Sequence, residues 1–171
     1  MRAGRAGKVE VGMTRSDGAG AKLADEMAIR DLIARYADAT TRRDAAGVAA
    51  TFTPDGEWIA TGLAHLRGVD EMVPRFSEFL SPFSAFLHAL LSGIVRLDPE
   101  DPDRATGRWY MMELGQLPDE SDLSVWGVYH DVYRREAGEW RIAERRFDQL
   151  FSRRGEGLRT TPFPLDVPKT F

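Results

Sequence analysis

The sequence predicts an α+β fold in which helices come first and pack inside a strongly curved, mostly antiparallel sheet that encloses a pocket. Three observations support this class. Apolar residues with helical spacing are confined to the chain before residue 81. Four long segments with strand alternation follow, separated by short turns. A chain of 171 residues fits one core and is too short for two comfortable ones.

The first helix is predicted to begin at Asp25 as its N-cap and to run for about 16 residues. Its apolar residues recur with helical spacing and place Tyr36 on the buried face, together with Met27, Ile29, Leu32 and Ile33. The chain before it is rich in Gly and Ala. Residues 1–22 are therefore predicted to be a flexible leader, followed by a domain over 23–152.

Two shorter helices and a strand are predicted next. Asp44 caps a helix that ends at Phe52. Residues 53–56 read Thr-Pro-Asp-Gly, which is turn chemistry, and lead into a strand over 57–60. Helical spacing returns over residues 70–80 and gives the third helix.

The second half of the chain is predicted to be all strand and turn. The alternating segments cover 84–97, 104–116, 123–135 and 139–151. The last two flank Ala137-Gly138, a short hairpin connection, so the four strands are expected to run antiparallel. Residues 153–171 are rich in proline and are predicted to form an extended tail.

Composition excludes several classes of function. The net charge of −4 comes with scattered basic residues, so no nucleic-acid partner is predicted. Cysteine is absent, which removes disulfides and thiolate chemistry. His65, His88 and His130 are too dispersed to predict a metal site. No membrane span, secretory signal, phosphate loop or Gly-x-Ser-x-Gly elbow is present, so a cytoplasmic protein without a nucleotide cofactor is predicted.

His88 is the most informative residue. It lies in an apolar strand and shares its face with Phe86, Leu90 and Ile94, where water cannot reach its imidazole. Either it is a core residue with one good partner or it lines a pocket.

Glu113 has a similarly unusual position. Strand alternation places it on one face with Trp109 and Met111. A carboxyl group removed from water can serve as a proton donor or acceptor near neutral pH. The alternative is that Glu113 lies at the sheet edge or pairs with Arg108 or Arg141.

Further candidates have two interpretations each. Tyr36 offers a phenol that can donate a proton or stabilise an oxyanion, although most buried tyrosines only anchor a core. Strand 123–135 carries Tyr129 on one face and Trp126 with His130 on the other, and either face could line the cavity. The tryptophans are core residues by default, yet aromatic walls also suit a flat organic ligand.

Three segments resemble the SnoaL-like family of the NTF2-like superfamily. They are residues 29–39 (IRDLIARYADA), 52–58 (FTPDGEW) and 129–142 (YHDVYRREAGEWRI), and the resemblance covers about 24–151. It implies a cone of curved antiparallel sheet with three helices around a pocket. Members include polyketide cyclases, scytalone dehydratase, ketosteroid isomerase and the bile acid 7α-dehydratase, which are mostly cofactor-free enzymes acting on small molecules.

The segment ATGRWY at 105–110 is similar to one in the bile acid dehydratase. The resemblance places that enzyme's helix tyrosine on Tyr36, its strand histidine on His88 and its following acidic residue on Glu113. Its helix aspartate, the expected partner of the histidine, falls on Thr41, and an arginine of its last strand falls on Gln149. Asp38, one turn earlier, or Glu113 could take the place of the missing partner.

The predicted function is a cofactor-independent general acid/base enzyme, a dehydratase, isomerase or cyclase, acting on a hydrophobic polycyclic or aromatic small molecule. His88 would be the base and Tyr36 the proton donor, while Glu113 would orient His88 or act as the acid, with Asp38 completing the catalytic set. The residues predicted to bind the substrate are Thr41, Trp58, Trp109, Met111, Trp126, Tyr129, Phe147 and Gln149.

Two alternatives remain open. The first is a non-catalytic binding or interaction module, favoured by Thr41 and Gln149 standing where acid and arginine are expected. The second is an epoxide-opening hydrolase or cyclase that uses Glu113 and Asp38. A homodimer formed through the outer face of the sheet is expected from the resemblance.

Overall fold

The computed structural model describes residues 16–155, 157–160 and 166. The helices are α1 Ser16–Thr41, α2 Ala45–Ala49 and α3 Val69–Leu80. The strands are β1 Phe52–Ala60, β2 Ala64–Arg67, β3 Ala85–Leu97, β4 Arg104–Gln116, β5 Asp122–Glu136, β6 Glu139–Arg154 and β7 Gly157–Thr160.

The strands form one mixed sheet in the order β2-β1-β6-β5-β4-β3, with β7 added to β6. The four long strands β3 to β6 are antiparallel neighbours, as predicted, and begin and end within a few residues of the expected positions. Strand β1 pairs with β6 in parallel, the one parallel pairing among the described strands. The α+β prediction is confirmed, with the helices packed against a curved, unclosed sheet.

Helix α1 supplies the centre of the core. Ile29, Leu32 and Ile33 are fully buried, and Tyr36 is nearly so, which confirms the predicted buried face. Met27 was assigned to the same face, and this is wrong because its side chain is exposed. The helix contacts β3 and β6, so it lies across the inner side of the sheet.

The start of α1 differs from the prediction. The helix begins at Ser16, so Asp25 is an interior residue and not an N-cap. Its carboxylate accepts hydrogen bonds from Arg135 (2.8 Å) and from the indole of Trp140 (3.1 Å). The Ala, Lys and Leu residues before Asp25 favour helix, so α1 continues into the predicted leader. The rest of that leader, residues 1–15, lies outside the described residues.

The predicted turn at residues 53–56 is part of strand β1. The register of β1 on β6 shifts there, from Phe52 opposite Ile142 to Glu57 opposite Glu144. Pro54 lacks the N–H that a regular ladder needs, so the segment bulges instead of reversing.

The N-cap role of Asp44 is confirmed, since its carboxylate accepts from the Gly47 N–H at 2.8 Å.

A second bulge changes the faces of β3. Leu90 pairs with Met111 and Ser92 with Tyr110, which leaves Leu91 without a partner in the ladder. The alternation is reversed beyond this point, because one extra residue moves each later side chain to the opposite face. Ile94 is consequently 43% exposed, and its predicted place beside His88 is wrong.

The end of the domain is also longer than expected. Strand β6 continues to Arg154 and pairs with β7, two residues beyond the predicted boundary. Asp166 forms an ion pair with Arg146 (2.6 Å). The predicted tail otherwise lies largely outside the described residues.

No helix in the described part of the chain is long and apolar enough to cross a membrane.

Candidate functional site

A cavity of about 340 Å³ lies between the helices and the sheet. Its walls are mostly apolar and aromatic, as is typical of sites for small organic molecules. The lining residues are Tyr36, Thr40, Val48, Trp58, Leu63, Phe76, Phe79, Leu80, Phe83, Phe86, Glu113, Leu123, Val125, Phe147, Gln149 and Ser152.

His88 and Glu113 form a hydrogen-bonded pair at this cavity. They stand directly opposite each other in the ladder of β3 and β4, so their side chains project from the same face as neighbours. The distance from His88 Nδ1 to Glu113 Oε1 is 3.0 Å. The His88 side chain is fully buried, and that of Glu113 is 25% exposed and reaches the cavity wall.

The other ring nitrogen of His88 is unpaired among the residues that the structure describes. Nε2 is buried and makes no hydrogen bond to any described residue. The imidazole lies parallel to the ring of Tyr129 (5.8 Å between centroids) and edge-on to that of Tyr36 (5.6 Å). A buried nitrogen with an open hydrogen-bonding position is unusual enough to require an explanation.

Thr41 stabilises the backbone of His88. The His88 N–H donates to Thr41 Oγ1 at 3.0 Å, and the Thr41 hydroxyl lies 3.4 Å from the His88 carbonyl oxygen. The end of α1 is thereby attached to the middle of β3. Thr41 does not line the cavity, so its predicted substrate contact is absent.

Asp38 does not take the place of the missing helix aspartate. Its side chain is 66% exposed and forms an ion pair with Arg42 (2.9 Å) on the helix surface. Its predicted catalytic role is therefore wrong, because a carboxylate at this position faces solvent. The partner of His88 is Glu113, and the proposed pairing of Glu113 with Arg108 or Arg141 is wrong as well.

Tyr36 presents a protonated phenol to the cavity. Burial raises the pKa of its hydroxyl, and this outweighs the opposing effects of the Arg145 charge and a hydrogen bond from Tyr129. The group therefore stays neutral throughout the physiological range and remains a hydrogen-bond donor.

Arg145 is a central residue that the sequence reasoning missed. It is fully buried, and its guanidinium lies 4.1 Å from the ring centroids of both Tyr36 and Tyr129. Asp131 accepts from its Nε at 2.8 Å and from its Nη2 at 2.6 Å. Burial disfavours the charged guanidinium, but Asp131 outweighs this and raises the pKa of Arg145, so the guanidinium stays charged.

The buried pair is part of a longer network. Tyr133 donates its hydroxyl to Asp131 (2.6 Å) and accepts from the indole of Trp109 (2.7 Å). Trp109 is thus held in the core behind the cavity. Met111 and Tyr129 are buried in the same layer, and none of the three lines the cavity, contrary to the predicted substrate contacts.

The remaining predicted wall residues divide between the two faces of the sheet. Trp58, Phe147 and Gln149 line the cavity, and their binding of a substrate stays a prediction. Trp126 is on the opposite face near Arg153, so its predicted role is wrong. The open question about β5 is settled, since Val125 lies at the cavity, on the face that also carries Tyr129.

Metal-binding chemistry has no visible site in the part of the chain that the structure describes. No group of three or more His, Asp or Glu residues there is placed to hold a metal ion. Among the described residues that line the cavity, Glu113 is the one with a carboxyl group.

The curved sheet, the helix packed against it and the cavity between them form an NTF2-like fold. The model of the SnoaL-like domain matches residues 21–146, most of the chain. The protein belongs to the SnoaL-like family. The resemblance inferred from the sequence is confirmed. No curated protein sequence matches the chain.

Solved structures give the same fold. A type 2 hexachlorocyclohexane dehydrochlorinase, LinA, is 21% identical with a TM-score of 0.72, over 84% of this chain and 97% of its own. A candidate scytalone dehydratase from Novosphingobium aromaticivorans is 17% identical with a TM-score of 0.74, over 88% and 99%. A candidate aromatic ring hydroxylase from the same organism is 26% identical with a TM-score of 0.70, over 81% and 94%.

Proposed function

We propose that this protein is a cofactor-independent general acid/base enzyme, most simply a dehydratase or isomerase, acting on a hydrophobic polycyclic or aromatic small molecule. The observation that carries the proposal is the His88–Glu113 pair beside Tyr36 at an apolar cavity. A base, its partner and a neutral proton donor are the groups that such a reaction requires.

His88 is the proposed base. Its Nδ1 donates to Glu113, which leaves the lone pair on Nε2, the nitrogen that has no partner among the described residues. When Nε2 takes a proton from a substrate carbon, the Glu113 carboxylate stabilises the imidazolium that forms. Glu113 in this way supplies what the missing helix aspartate would provide.

Tyr36 is the proposed acid. In an elimination, the electron pair of the broken C–H bond forms the double bond, and the departing hydroxyl takes the Tyr36 proton and leaves as water. In an isomerisation, the same phenol donates a hydrogen bond to the developing enolate oxygen. Arg145 beside the ring stabilises negative charge on the phenol oxygen.

The names of the structural neighbours agree with an elimination. A dehydrochlorinase removes hydrogen chloride and a dehydratase removes water, and both reactions need a base together with help for the leaving group. At these identities the neighbours support the fold directly and the chemistry only as an analogy.

Glu113 itself is a second candidate for the base, because it reaches the cavity wall and His88 does not. In that arrangement His88 would position the carboxylate. The two arrangements predict different results for the variants at the two positions. Replacing the residue that accepts the proton lowers the activity more than replacing its partner does.

The alternative of a binding module is tested by the same cavity. The open volume of about 340 Å³ beside Glu113 and Phe147 argues against the version in which side chains simply fill the interior. The version that holds a ligand has the same cavity, and the turnover experiment below separates it from an enzyme. The epoxide-opening alternative requires a second carboxylate at the site. Asp38 does not provide it, because its side chain faces solvent.

The proposal is tested by incubating the protein with a panel of polycyclic ketols and ketones in deuterated water. Mass spectrometry then detects loss of water or uptake of deuterium. Wild type is expected to convert at least one compound, and His88→Gln and Glu113→Gln to lose that activity. Conversion at the wild-type rate by both folded variants contradicts the proposal. Trp126→Phe, on the opposite face, is the matched control.

Homodimerisation is a further part of the proposal. The outer face of β3 and β4 exposes a patch of large apolar side chains, which we call the outer patch: Leu87, Leu91, Ile94, Tyr110 and Leu114. A soluble monomer rarely leaves such side chains clustered in contact with water. The cytoplasmic location stays a prediction.

A further inference from the structure

The proposed acid and the proposed base lie on two different elements. Tyr36 is on α1, and His88 is in the middle of β3. Their rings are edge-on, with 5.6 Å between centroids. A reaction that needs both groups depends on this separation, because a displacement of about 1 Å at a site can lower a rate by about 100-fold. The contact between the helix and the strand therefore bears on the chemistry.

Strand β3 forms an edge of the sheet. It comes last in the order of the described strands, so β4 is its one neighbour among them. An edge strand leaves part of its backbone N–H and C=O groups outside the ladder. His88 is only 3% exposed, so its backbone groups need a partner from the protein and not from water.

Thr41, the last residue of α1, provides this partner with a single hydroxyl group. Thr41 Oγ1 accepts from the His88 N–H at 3.0 Å and donates to the His88 carbonyl oxygen at 3.4 Å. A hydroxyl group carries a proton and lone pairs, so it can serve both backbone groups, whereas an ionised carboxylate can only accept. We call these two hydrogen bonds the helix–strand clamp.

The helix–strand clamp also determines how His88 faces Glu113. A backbone N–H points in one direction, so the N–H that donates to Thr41 is not available to Glu113 on β4. The two opposed residues therefore form the kind of antiparallel pair that exchanges no backbone hydrogen bonds, in which side chains come closer together. In this arrangement His88 Nδ1 reaches the Glu113 carboxylate at 3.0 Å.

The clamp is placed where a change of register would do most harm. Leu91, three residues after His88, is left without a partner in the ladder by the bulge of β3. A slip of β3 by one residue would turn His88 from the inner face to the outer face. A hydrogen bond from the helix to His88 itself opposes such a slip.

The end of α1 is fixed as well. The Arg43 N–H donates to the Thr40 carbonyl oxygen (3.0 Å), and the Asp44 N–H donates to that of Ala39 (2.9 Å). The Arg43 guanidinium donates to the carbonyl oxygen of Phe83, just before β3. The helix–strand clamp therefore joins two ordered elements.

We propose that Thr41 is a positioning residue of the reaction, whose hydroxyl group holds His88 in place between the Tyr36 phenol and the Glu113 carboxylate. The inference rests on the proposed function for the roles of these three groups. Thr41 is not among the residues that line the cavity, so it acts through His88 and not on the substrate.

Three variants separate the hydroxyl group from the rest of the side chain. Thr41→Val keeps the branched shape and removes both hydrogen bonds, and Thr41→Ser keeps the hydroxyl group. Thr106→Val makes the same change on the outer face of β4 and is the matched control. Urea titrations establish that each variant is folded.

NMR of His88 tests the inference without a substrate. Wild type is expected to carry the imidazole proton on Nδ1 and to exchange the His88 amide slowly. In Thr41→Val the amide should exchange about fivefold to tenfold faster, and the imidazole should populate both tautomers. Thr41→Ser and Thr106→Val should keep the wild-type tautomer. An unprotected His88 amide in wild type overturns the inference even if Thr41→Val fails to fold.

Kinetics with a substrate from the panel give the second readout. Thr41→Val is expected to lower kcat about tenfold to 100-fold and to change KM less than about twofold, because Thr41 does not touch the substrate. Thr41→Ser should recover most of this loss, and Thr106→Val should be unchanged. Wild-type kcat in a folded Thr41→Val variant, or equal losses in both Thr41 variants, overturns the inference.

Failure of this inference and failure of the proposed function give different results. If Thr41→Val changes neither the tautomer nor turnover while His88→Gln abolishes turnover, the acid/base proposal stands and the role of Thr41 falls. If Thr41→Val releases the imidazole but wild type converts no compound of the panel, the helix–strand clamp is a structural contact only, and the enzymatic proposal falls together with the role of Thr41.

Discussion

The side chains at the cavity show how a histidine can obtain a partner when the expected one is absent. Thr41 stands where a helix aspartate is expected, and its hydroxyl contacts the backbone of His88. Glu113, opposite His88 on the next strand, supplies the carboxylate instead. The cross-strand partner orients the imidazole, because the ladder fixes both residues opposite each other.

Tyr36→Phe tests the proposed acid. The variant keeps the ring between Phe52 and Tyr129 and removes only the hydroxyl. Turnover of a verified substrate is expected to fall at least about 100-fold, because the leaving oxygen loses its proton donor. Steady-state kinetics measure this, and Tyr110→Phe, on the outer face, should be unchanged. A Tyr36→Phe variant with wild-type kcat would remove Tyr36 from the mechanism.

Arg145 has a structural role that can be separated from catalysis. Arg145→Met leaves the Asp131 carboxylate buried with only the Tyr133 hydroxyl beside it. The free energy of unfolding is expected to fall by about 3–5 kcal/mol in urea titrations. The double variant Arg145→Met, Asp131→Leu should recover most of this loss, since no unpaired charge remains. A loss below about 1 kcal/mol in the single variant would contradict the account.

Strands and helices differ in how well the sequence predicts them. Strands β3 to β6 follow directly from alternation and turn residues, and the apolar face of α1 follows from its spacing. The bulges do not, because each depends on contacts with a distant strand. Counting back from the hairpin at Ala137-Gly138 would pair Asp131 with Glu144. A register shift between Val132 and Tyr133 pairs Asp131 with Arg145 instead.

The residues of the candidate site were predictable where local sequence patterns place them, and not where contacts between distant elements do. Tyr36, His88 and Glu113 were found because polar side chains recur on apolar faces. Asp38 was misplaced because helical spacing gives its approximate face but not the side of α1 that the sheet covers. Arg145 was missed because its neutralising partner is brought to it by the register shift.

Asp25 connects α1 to the β5–β6 hairpin and makes that contact sensitive to acid. Burial raises the pKa of Asp25, but hydrogen bonds from Arg135 and Trp140 outweigh this and hold it below its ordinary value of 3.8. A group with a lowered folded-state pKa stabilises the fold above its unfolded value, and this stabilisation is lost as the pH falls through the folded value.

Asp25→Asn tests this connection. At neutral pH the variant is expected to be less stable than wild type, because the ion pair with Arg135 is gone. The difference should shrink below about pH 4 as the wild-type carboxylate becomes protonated. Thermal melts between about pH 2 and pH 7, the range in which a carboxyl group titrates, measure the difference. A difference that grows on acidification would contradict the assigned direction.

At the scale of the whole molecule, the two faces of the sheet have separate roles. The inner face holds α1 and the cavity, and the outer face carries the outer patch on β3 and β4. We expect the outer patch to be covered by a second copy of the chain. The division explains why Trp126 and Ile94 are remote from the site although both are large and apolar.

Leu114→Glu tests the outer patch. A charged side chain at its centre is expected to convert the dimer into a monomer, because burial of an unpaired carboxylate is costly. Light scattering coupled to size-exclusion chromatography gives the mass directly. Leu23→Glu, on an exposed part of α1, is the control. A wild-type protein that is monomeric at micromolar concentration would refute the dimer.

The most direct test of the central claim is kcat/KM of His88→Gln for a substrate identified in the panel, measured beside wild type and Glu113→Gln. If the pair is the acid/base unit, His88→Gln is expected to lose about 100-fold to 10,000-fold in kcat/KM while retaining its fold. Glu113→Gln should lose less, since it removes the partner and not the base. A folded His88→Gln variant with wild-type kcat/KM would contradict the account.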